Sequence, residues 1–301
     1  MKTIQEASSI DYFYLMLLSA IWGSAFVAIS FALNDSAPFL IALGRIFLAA
    51  LFLSMIAIIK KIPFRKDFAS WKIFALIGLL NTAMPFYLIS WGQQFITAST
   101  AALLLAVGPF IVLIISHFVT HDEKFTIFKL IGVVFGFFGV FLLLGDDLVR
   151  GNEDSLYGKI AMLIAVIGYI SAGFLIRTLS HIPILISSSS MFIASSIMSF
   201  PFVFFISYEN VTVFSYSSLA IVYLAIVPTA LASLLRINLV QKVGVQFMSQ
   251  VSYLIPIFAI FWSWLFFDQI PEKIAFIALI FIFSGLFIRK IKLKGKEKEN
   301  D

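Results

Sequence analysis

Residues 94–109, QFITASTAALLLAVGP, and residues 241–256, QKVGVQFMSQVSYLIP, are two segments of equal length that begin with glutamine and end with proline. Other residues recur in the same order at an offset of 143 to 147 positions: Gly23 with Gly168, Pro38 with Pro183, Pro85 with Pro228, and Gly139 with Gly285. Because the chain contains only nine prolines, agreement by chance is a poor explanation. The sequence therefore predicts an internal repeat, which fixes the architecture before any local feature does.

The composition is that of a membrane protein. Of 301 residues, 61% are hydrophobic and 12% are charged, whereas about 25% of a soluble domain is charged. The net charge of +5 comes from basic residues in short loops and in the C-terminal tail. This distribution is typical of membrane orientation and does not indicate a nucleic-acid partner. The chain has no cysteine, so its sequence excludes disulfides, thiolate nucleophiles and cysteine-ligated metals.

Ten segments are long and apolar enough to cross a bilayer, which takes about 20 mostly apolar residues in a helix. We therefore predict an all-α integral membrane protein with ten transmembrane helices. Strands are not predicted, because the segments do not alternate between polar and apolar residues. The segments are residues 11–33, 38–59, 71–92, 97–118, 126–145, 157–177, 183–206, 216–237, 243–266 and 273–290.

Lysine and arginine are distributed unevenly between the two sides of the predicted membrane. Loops on one side hold most of them, and the tail after Ile288 adds six more. Loops on the other side hold only Arg150, Lys159 and Lys273. Because basic loops stay in the cytoplasm, both termini are predicted to be cytoplasmic.

An acidic, polar segment at residues 145–155 is the only clear boundary in the chain. It separates residues 1–147 from residues 148–291, each with five predicted spans, and a basic cytoplasmic tail follows at residues 292–301. Since five is an odd number, the second half enters the membrane in the opposite orientation. The prediction is thus a 5+5 inverted-topology repeat, in which a substrate site lies near the midplane between the halves.

Three features of the first half occur together: residues 19–26, SAIWGSAF; Pro38 followed by Arg45; and residues 101–109. With them, the first half resembles the EamA-domain proteins of the drug/metabolite transporter superfamily. Residues 168–285 look like a more divergent copy. The resemblance implies a ten-span, 5+5 inverted repeat that moves small organic metabolites, often outward.

The two halves differ at positions that carry this resemblance. Residues 167–169, IGY, stand where the first half has residues 22–24, WGS. Ser190 stands where the first half has Arg45. We therefore expect the two halves to contact a substrate in different ways.

Ionisable side chains within the predicted spans are few, and such groups are candidates for function because burying them in a bilayer is costly. They are Arg45, Arg236 and His117, and no Asp or Glu falls in the interior of a span. For Arg45 we consider a contact with a substrate carboxylate or phosphate, or a structural role at helix-end carbonyls or the interface. For Arg236 and His117 we favour an interfacial position, with the long arginine side chain reaching the cytoplasmic surface.

Neutral polar and aromatic residues complete the predicted lining of a mostly apolar substrate cavity. Alternatively, some of these aromatic residues belong to the interfacial belt, and some amides join neighbouring helices. The predicted substrate-binding residues are Trp22, Arg45, Asn81, Tyr87, Gln94, Tyr169, Asn238, Gln250 and Tyr253.

Four prolines lie within predicted spans, where proline removes a backbone hydrogen bond and bends the helix. We interpret Pro85, Pro109, Pro228 and Pro256 as hinges, with a static kink as the alternative. A Gly-x-x-x-Gly face at Gly132 favours close helix packing within one chain, or less often a dimer contact. The predicted state is a monomer or a homodimer.

These features predict a secondary transporter that moves small organic metabolites, such as amino acids or related amphipathic compounds, by alternating access. Export or exchange is favoured over proton coupling, because the spans lack an interior carboxylate. A phosphate-binding loop and a His-Glu-x-x-His motif are missing from the sequence, so we predict no enzyme activity, no cofactor and no metal site.

Two other functions remain open at this stage. One is an antiporter or uptake carrier for an anionic or phosphorylated metabolite, which a single deep arginine supports weakly. The other is a receptor or scaffold without transport, which the short loops disfavour. The predicted partners are a small-molecule substrate and the lipid bilayer. The predicted location is a bacterial inner (plasma) membrane.

Overall fold

The computed structural model describes residues 5–119, 127–150, 153–205 and 215–289, and this part of the chain is helical without strands. Two π-helical turns, Leu79–Ala83 and Ile226–Leu231, and a 3₁₀ turn, Phe200–Phe205, interrupt the α-helices. The α-helices are α1 Ser9–Ala32, α2 Pro38–Ile59, α3 Phe68–Gly78, α4 Met84–Gly92, α5 Ala98–Leu105, α6 Gly108–Val119, α7 Ile127–Arg150, α8 Glu153–Thr178, α9 Ile184–Ser199, α10 Tyr216–Ala225, α11 Ala232–Met248, α12 Val251–Phe267 and α13 Lys273–Arg289.

Seven helical stretches in the described residues are long and apolar enough to cross a membrane, and three shorter apolar helices accompany them. These stretches overlap the ten predicted segments, although the number of spans and the inverted repeat stay predictions. Large apolar side chains point outward, including Phe204 at 79% exposure and Ile58 at 68%. A broad apolar surface of this kind suits lipid contact, so the architecture is that of an all-helical membrane protein.

Several helices begin at residues that satisfy or tolerate their free N–H groups. Pro38 occupies the first turn of α2, where the missing N–H costs nothing. The Asp67 carboxylate accepts the Ser70 N–H at 2.9 Å before α3, and the Thr97 hydroxyl accepts the Thr100 N–H at 3.2 Å before α5. These caps explain why the helices begin after short polar loops.

The two π-helical turns lie at matched prolines. Residues 79–83 end just before Pro85, and residues 226–231 contain Pro228. A proline has no N–H to donate to the carbonyl four residues earlier, so the helix widens locally by one residue per turn. Two of the predicted hinge prolines therefore coincide with irregular helix geometry.

The predicted spans at 97–118 and 243–266 are both broken. In the first, α5 gives way to α6 through i→i−3 bonds such as Ala106 N–H to the Leu103 carbonyl at 3.0 Å. In the second, Gly244 has a positive φ of 89° that L side chains rarely adopt. A further turn, in which the Gln250 N–H donates to the Phe247 carbonyl at 3.1 Å, precedes α12.

The other two hinge candidates lie near these breaks. Pro109 is in the first turn of α6, directly after the break. Pro256 lies inside α12, five positions beyond the start of the helix, so it is not at the break itself. Three of the four candidate prolines thus adjoin a break or a π-turn, while their role as hinges stays a prediction.

Helices of the two halves pack against each other at small residues. A Cβ atom on Gly23 of α1 would lie 2.7 Å from the Phe258 Cβ of α12, and one on Gly139 of α7 would lie 2.7 Å from the Ala278 carbonyl oxygen of α13. A Cβ on Gly285 would collide with the Gly132 carbonyl. The Gly132 face is therefore covered by α13 of the same chain, which confirms the interpretation of close packing within one chain.

Candidate functional site

A cavity of about 140 Å³ lies between the two halves, beside both π-turns and the breaks before α6 and α12. Its wall is mostly apolar, with Phe26, Ile29, Ile89 and Phe192 among the side chains. Among the described residues, no acidic side chain lines it. The polar and aromatic residues of the lining include Trp22, Arg45, Asn81, Tyr169, Thr229 and Arg236.

Arg45 projects from α2 into this cavity and is only 4% exposed. Its Nε and Nη2 atoms both donate to the Thr229 hydroxyl oxygen, at 3.2 and 3.1 Å. Its guanidinium carbon lies 3.9 Å from the centre of the Phe86 ring, which adds a cation–π contact. Within the described part of the chain, this buried cation has neutral partners alone.

Arg236 projects from α11 into the same cavity. It donates to the Asn81 side-chain oxygen, and its Nη2 donates to the Tyr169 carbonyl at 2.9 Å. The prediction that this side chain reaches the cytoplasmic surface is therefore wrong. Two acceptors inside the bundle satisfy the guanidinium, so the side chain turns inward.

The two arginines make reciprocal contacts across the seam. Arg45 of the first half binds Thr229 in the π-turn of the second half, and Arg236 of the second half binds Asn81 in the π-turn of the first. The two arginines do not occupy matched positions, since Ser190 corresponds to Arg45. Each half nevertheless contacts the π-turn of the other half through an arginine guanidinium.

Four of the predicted substrate-binding residues line the cavity: Trp22, Arg45, Asn81 and Tyr169. The Trp22 indole N–H donates to the Pro228 carbonyl at 3.0 Å. The ring of Tyr169 lies 6.0 Å from the guanidinium carbon of Arg236. Trp22 precedes Gly23 and Tyr169 follows the matching Gly168. The Trp22 indole binds the carbonyl next to Thr229, and the Tyr169 carbonyl accepts from Arg236.

The other five predicted residues lie outside the lining. Tyr87 is 39% exposed, and its ring packs against Phe39 with centroids 6.1 Å apart. Gln94 is exposed in the turn after α4. Asn238, Gln250 and Tyr253 are half-buried on α11, in the break and on α12. The structure does not bring these residues to the cavity, and their contact with a substrate stays a prediction.

If the cavity carries a solute, as the sequence predicts, replacing Pro228 with alanine is expected to reduce transport about tenfold, roughly 1.4 kcal/mol, while the protein stays folded. Alanine restores the N–H that a regular α-helix needs, so the sequence no longer imposes the π-turn. The Pro228 carbonyl and the Thr229 hydroxyl would then turn away from Trp22 and Arg45. Solute flux in proteoliposomes, measured beside the melting temperature Tm, checks this; unchanged flux would contradict it.

Both ends of α1 bind the second half through polar contacts. At one end, each carboxylate oxygen of Asp11 accepts a hydrogen bond from Lys242 Nζ at 2.8 Å, and the same carboxylate accepts the Ser8 N–H at 2.9 Å. At the other end, the Ser217 hydroxyl lies 3.0 Å from the Asp35 carboxylate and from the Phe31 carbonyl oxygen. Along α1, the residues that line the cavity lie between these two sets of contacts.

No second site is found among the predicted groups that the structure describes. The His117 side chain and the tail at 292–301 lie outside the described residues. In the part of the chain that the structure describes, no cluster of three or more His, Cys, Asp or Glu side chains is placed to hold a metal ion.

Comparison with known proteins agrees with this architecture. The EamA-like transporter family matches the chain twice, at residues 9–145 and 156–289. "Uncharacterized transporter YoaV" of Bacillus subtilis (strain 168) is 24% identical over 91% of this chain and 94% of its own length. "Uncharacterized transporter in trpA 3'region" of Buchnera aphidicola subsp. Schlechtendalia chinensis is 27% identical over 80% of each.

A chain of known structure superposes with a TM-score of 0.69 over 94% of this chain and 98% of its own length. Its identity of 17% makes this a likeness of fold alone. The two family matches together cover nearly all of the chain. The chain therefore belongs to the EamA-like transporter family, within the drug/metabolite transporter superfamily.

Proposed function

We propose that this membrane transporter is a secondary carrier that moves small organic metabolites through the central cavity by alternating access. The observation that carries the proposal is the position of the cavity, which lies at the seam of two half-bundles beside paired helix breaks. Discontinuous helices at a repeat interface are typical of substrate sites in such carriers. Amino acids or related amphipathic compounds are the proposed substrates, moved by export or exchange.

The proposed architecture is ten spans in a 5+5 inverted repeat, with residues 1–147 and 148–291 as the two units and 292–301 as a tail. The double family match and the paired π-turns support it. Both termini would lie in the cytoplasm, as the basic loops indicate. The relatives in Bacillus and Buchnera support a bacterial plasma membrane.

The helix irregularities give the carrier places at which to bend. Each half contains one π-turn and one broken span, and such features localise bending in otherwise stiff helices. Contacts between the halves at these places are hydrogen bonds to neutral groups, such as Thr229 and Asn81. Hydrogen bonds that involve a charged group contribute about 1.5–3 kcal/mol each, and a bound solute that accepts from the same guanidinium groups can replace them.

Proton coupling is not favoured by the cavity, because a proton relay needs a titratable carboxylate or histidine within reach. The described lining offers none. We therefore propose facilitated diffusion or exchange. A receptor or scaffold would show no flux, and is the contrasting outcome.

Counterflow in proteoliposomes tests the proposal. Vesicles preloaded with an unlabelled compound from a panel of amino acids and amphipathic acids are expected to accumulate the labelled compound without a pH gradient. Protein-free vesicles and the Ala25→Trp variant, which adds a large side chain to the cavity wall, are the controls. Flux that strictly requires a pH gradient would overturn uncoupled exchange, and no flux for any compound would overturn the carrier function.

A further inference from the structure

We propose that the transported compound is an organic anion: a carboxylate with a small apolar body and no ammonium group, bound between Arg45 and Arg236. This inference rests on the proposed function, because it takes the central cavity as the transport site. It narrows the proposed substrates to the acids among the related amphipathic compounds and sets the α-amino acids aside. It also makes the second deep arginine, Arg236, part of the binding site.

The cavity carries two positive charges without a negative one. Arg45 and Arg236 both line it, and the described lining contains no Asp or Glu. The acceptors that the arginines use are a hydroxyl, an amide and a backbone carbonyl. Because a buried charge without a countercharge is strongly unfavourable, the site is incomplete as a structural ion pair. An anionic ligand supplies the missing charge.

The geometry at Arg45 fits a carboxylate. Its Nε and Nη2 atoms converge on a single oxygen of Thr229, at 3.2 and 3.1 Å. This pair of parallel donors is the edge of the guanidinium that binds the two oxygens of a carboxylate in bidentate contacts. Thr229 gives that edge one neutral oxygen, so a carboxylate makes a stronger set of bonds at the same place.

Two helix ends add to the positive potential. Gly108 at the start of α6 and Val251 at the start of α12 both line the cavity. The N-terminus of a helix carries a partial positive charge, and broken helices in carriers direct such ends at anionic substrates. These ends support the arginines, which remain the groups that carry the inference.

The same features disfavour an α-amino acid. Its ammonium group would enter a cavity with two guanidinium groups and, in the described lining, no carboxylate to receive it. Apart from three serines, the remaining wall is mostly apolar, with Phe26, Ile29 and Phe192, and suits a hydrocarbon body. The volume of about 140 Å³ is close to that of a protein cavity that holds benzene. A small carboxylate therefore fits better than a large compound.

Binding would also release the contacts between the halves. When a carboxylate takes the donors of Arg45 and Arg236, the Thr229 hydroxyl oxygen and the Asn81 side-chain oxygen lose these hydrogen bonds across the seam. Both of these residues lie in the π-turns. A differential interaction of this kind is what a ligand needs to shift a conformational equilibrium. Occupancy of one site thus acts on the irregular turn of each half.

A matched pair of probes tests the proposal. 4-Methyl-2-oxopentanoate and leucine share a side chain and a carboxylate and differ at the oxo or ammonium group. In counterflow the oxo acid is expected to move at least about tenfold faster than leucine, because only leucine brings an ammonium group to the guanidinium pair. Pyruvate and phosphoenolpyruvate are further probes, of a shorter body and of a phosphorylated acid.

Arginine variants locate the effect. Arg45→Gln and Arg236→Gln are each expected to reduce oxo-acid flux at least about tenfold, since a charge-assisted bond becomes a neutral one. Arg65→Gln is the matched control, because its side chain is 47% exposed and pairs with Asp67 outside the cavity. In the parent protein, a membrane potential that is positive inside is expected to accelerate net uptake of the oxo acid, and the opposite potential to slow it.

Three results would overturn the anion site. Faster flux of leucine than of the oxo acid would do so, as would equal losses for both compounds in the arginine variants, which indicate a structural role. Faster flux of phosphoenolpyruvate than of every monocarboxylate would move the substrate class to phosphorylated acids.

Binding to the purified protein in detergent separates this inference from the carrier function. The oxo acid is expected to raise Tm in the parent protein and in Arg65→Gln, and not in the double Arg45→Gln, Arg236→Gln variant. A Tm shift without flux would refute transport and retain the anion site. Absence of a shift with every monocarboxylate would refute the site, whatever the flux of other compounds.

Discussion

Gly285→Leu is expected to prevent stable folding, because this glycine lies where α13 crosses α7 at its closest approach. A Cβ atom here would collide with the Gly132 carbonyl oxygen and lie 3.0 Å from the Phe135 Cβ and 3.1 Å from the Gly136 nitrogen. Two of these neighbours are backbone atoms, so relief requires movement of a whole helix. Overpacking of a dense interior costs about 1–3 kcal/mol or more, and we expect the upper end. The yield of monodisperse protein and its Tm measure the loss.

A substitution on the opposite surface of the same helix provides the control. Ile280 is 63% exposed, so Ile280→Leu is expected to leave yield and Tm unchanged. Gly285→Ala is expected to fall between the two, because its single methyl group still meets the backbone of α7. An unchanged Tm in Gly285→Leu would show that α7 and α13 do not approach so closely. It would also reopen the Gly132 face to a second copy of the chain.

The positions of the helix irregularities were predictable from the sequence because they arise from local chemistry. A proline lacks its N–H in any surroundings, so Pro85 and Pro228 predict disturbed helices without knowledge of their neighbours. Pro256 shows the limit of this reasoning. It lies within α12, and the break falls earlier, around Gln250, where the i→i−3 bonds form.

The site was predictable only in part, because side-chain direction depends on residues that are distant in sequence. The rule that polar groups in membranes are functional selected Arg45 and Asn81, which line the cavity. It did not select Thr229, which is 184 positions from Arg45. A lone threonine in an apolar helix has no signal of its own, although its place next to the matched Pro228 was one available clue.

The direction of the Arg236 side chain was also not predictable from the sequence. Its position near Lys242 in the sequence indicated the membrane surface, and a long side chain can reach water from such a place. The structure instead offers it Asn81 and the Tyr169 carbonyl, 155 and 67 positions away. Acceptors from two other helices decided the direction, and periodicity within one helix could not predict them.

Reversing either charge of the Asp11–Lys242 pair is expected to reduce transport about 100-fold, equivalent to roughly 2.7 kcal/mol. Asp11 is 1% exposed and lies 2.8 Å from Lys242 Nζ, so Asp11→Lys or Lys242→Asp places like charges together. Breaking a fully buried ion pair costs about 3–5 kcal/mol. Because the side chain of Lys242 is 33% exposed, solvent screening lowers the energetic cost for this pair. Counterflow of each single variant measures the loss.

The exchanged pair, Asp11→Lys with Lys242→Asp, is expected to restore part of the flux. It returns the attraction between α1 and α11, but lysine cannot accept the Ser8 N–H that Asp11 accepts at 2.9 Å. Loss of a capping interaction costs about 0.5–2 kcal/mol, so rescue stays incomplete. Glu6→Lys, which reverses an exposed charge near the start of α1, is the control and is expected to keep its flux.

The rate of cysteine labelling in the cavity distinguishes a closing contact from a purely structural one. Because the chain has no cysteine, a single one at Ser252, which lines the cavity, reports access alone. If the pair closes this end of the carrier, each single charge reversal accelerates labelling by an impermeant thiol reagent added on the Asp11 side, and the exchanged pair slows it again. If the Asp11–Lys242 pair only supports folding, each charge reversal lowers the amount of folded protein. The labelling rate per folded molecule then stays constant, because access to the cysteine at position 252 does not depend on the pair.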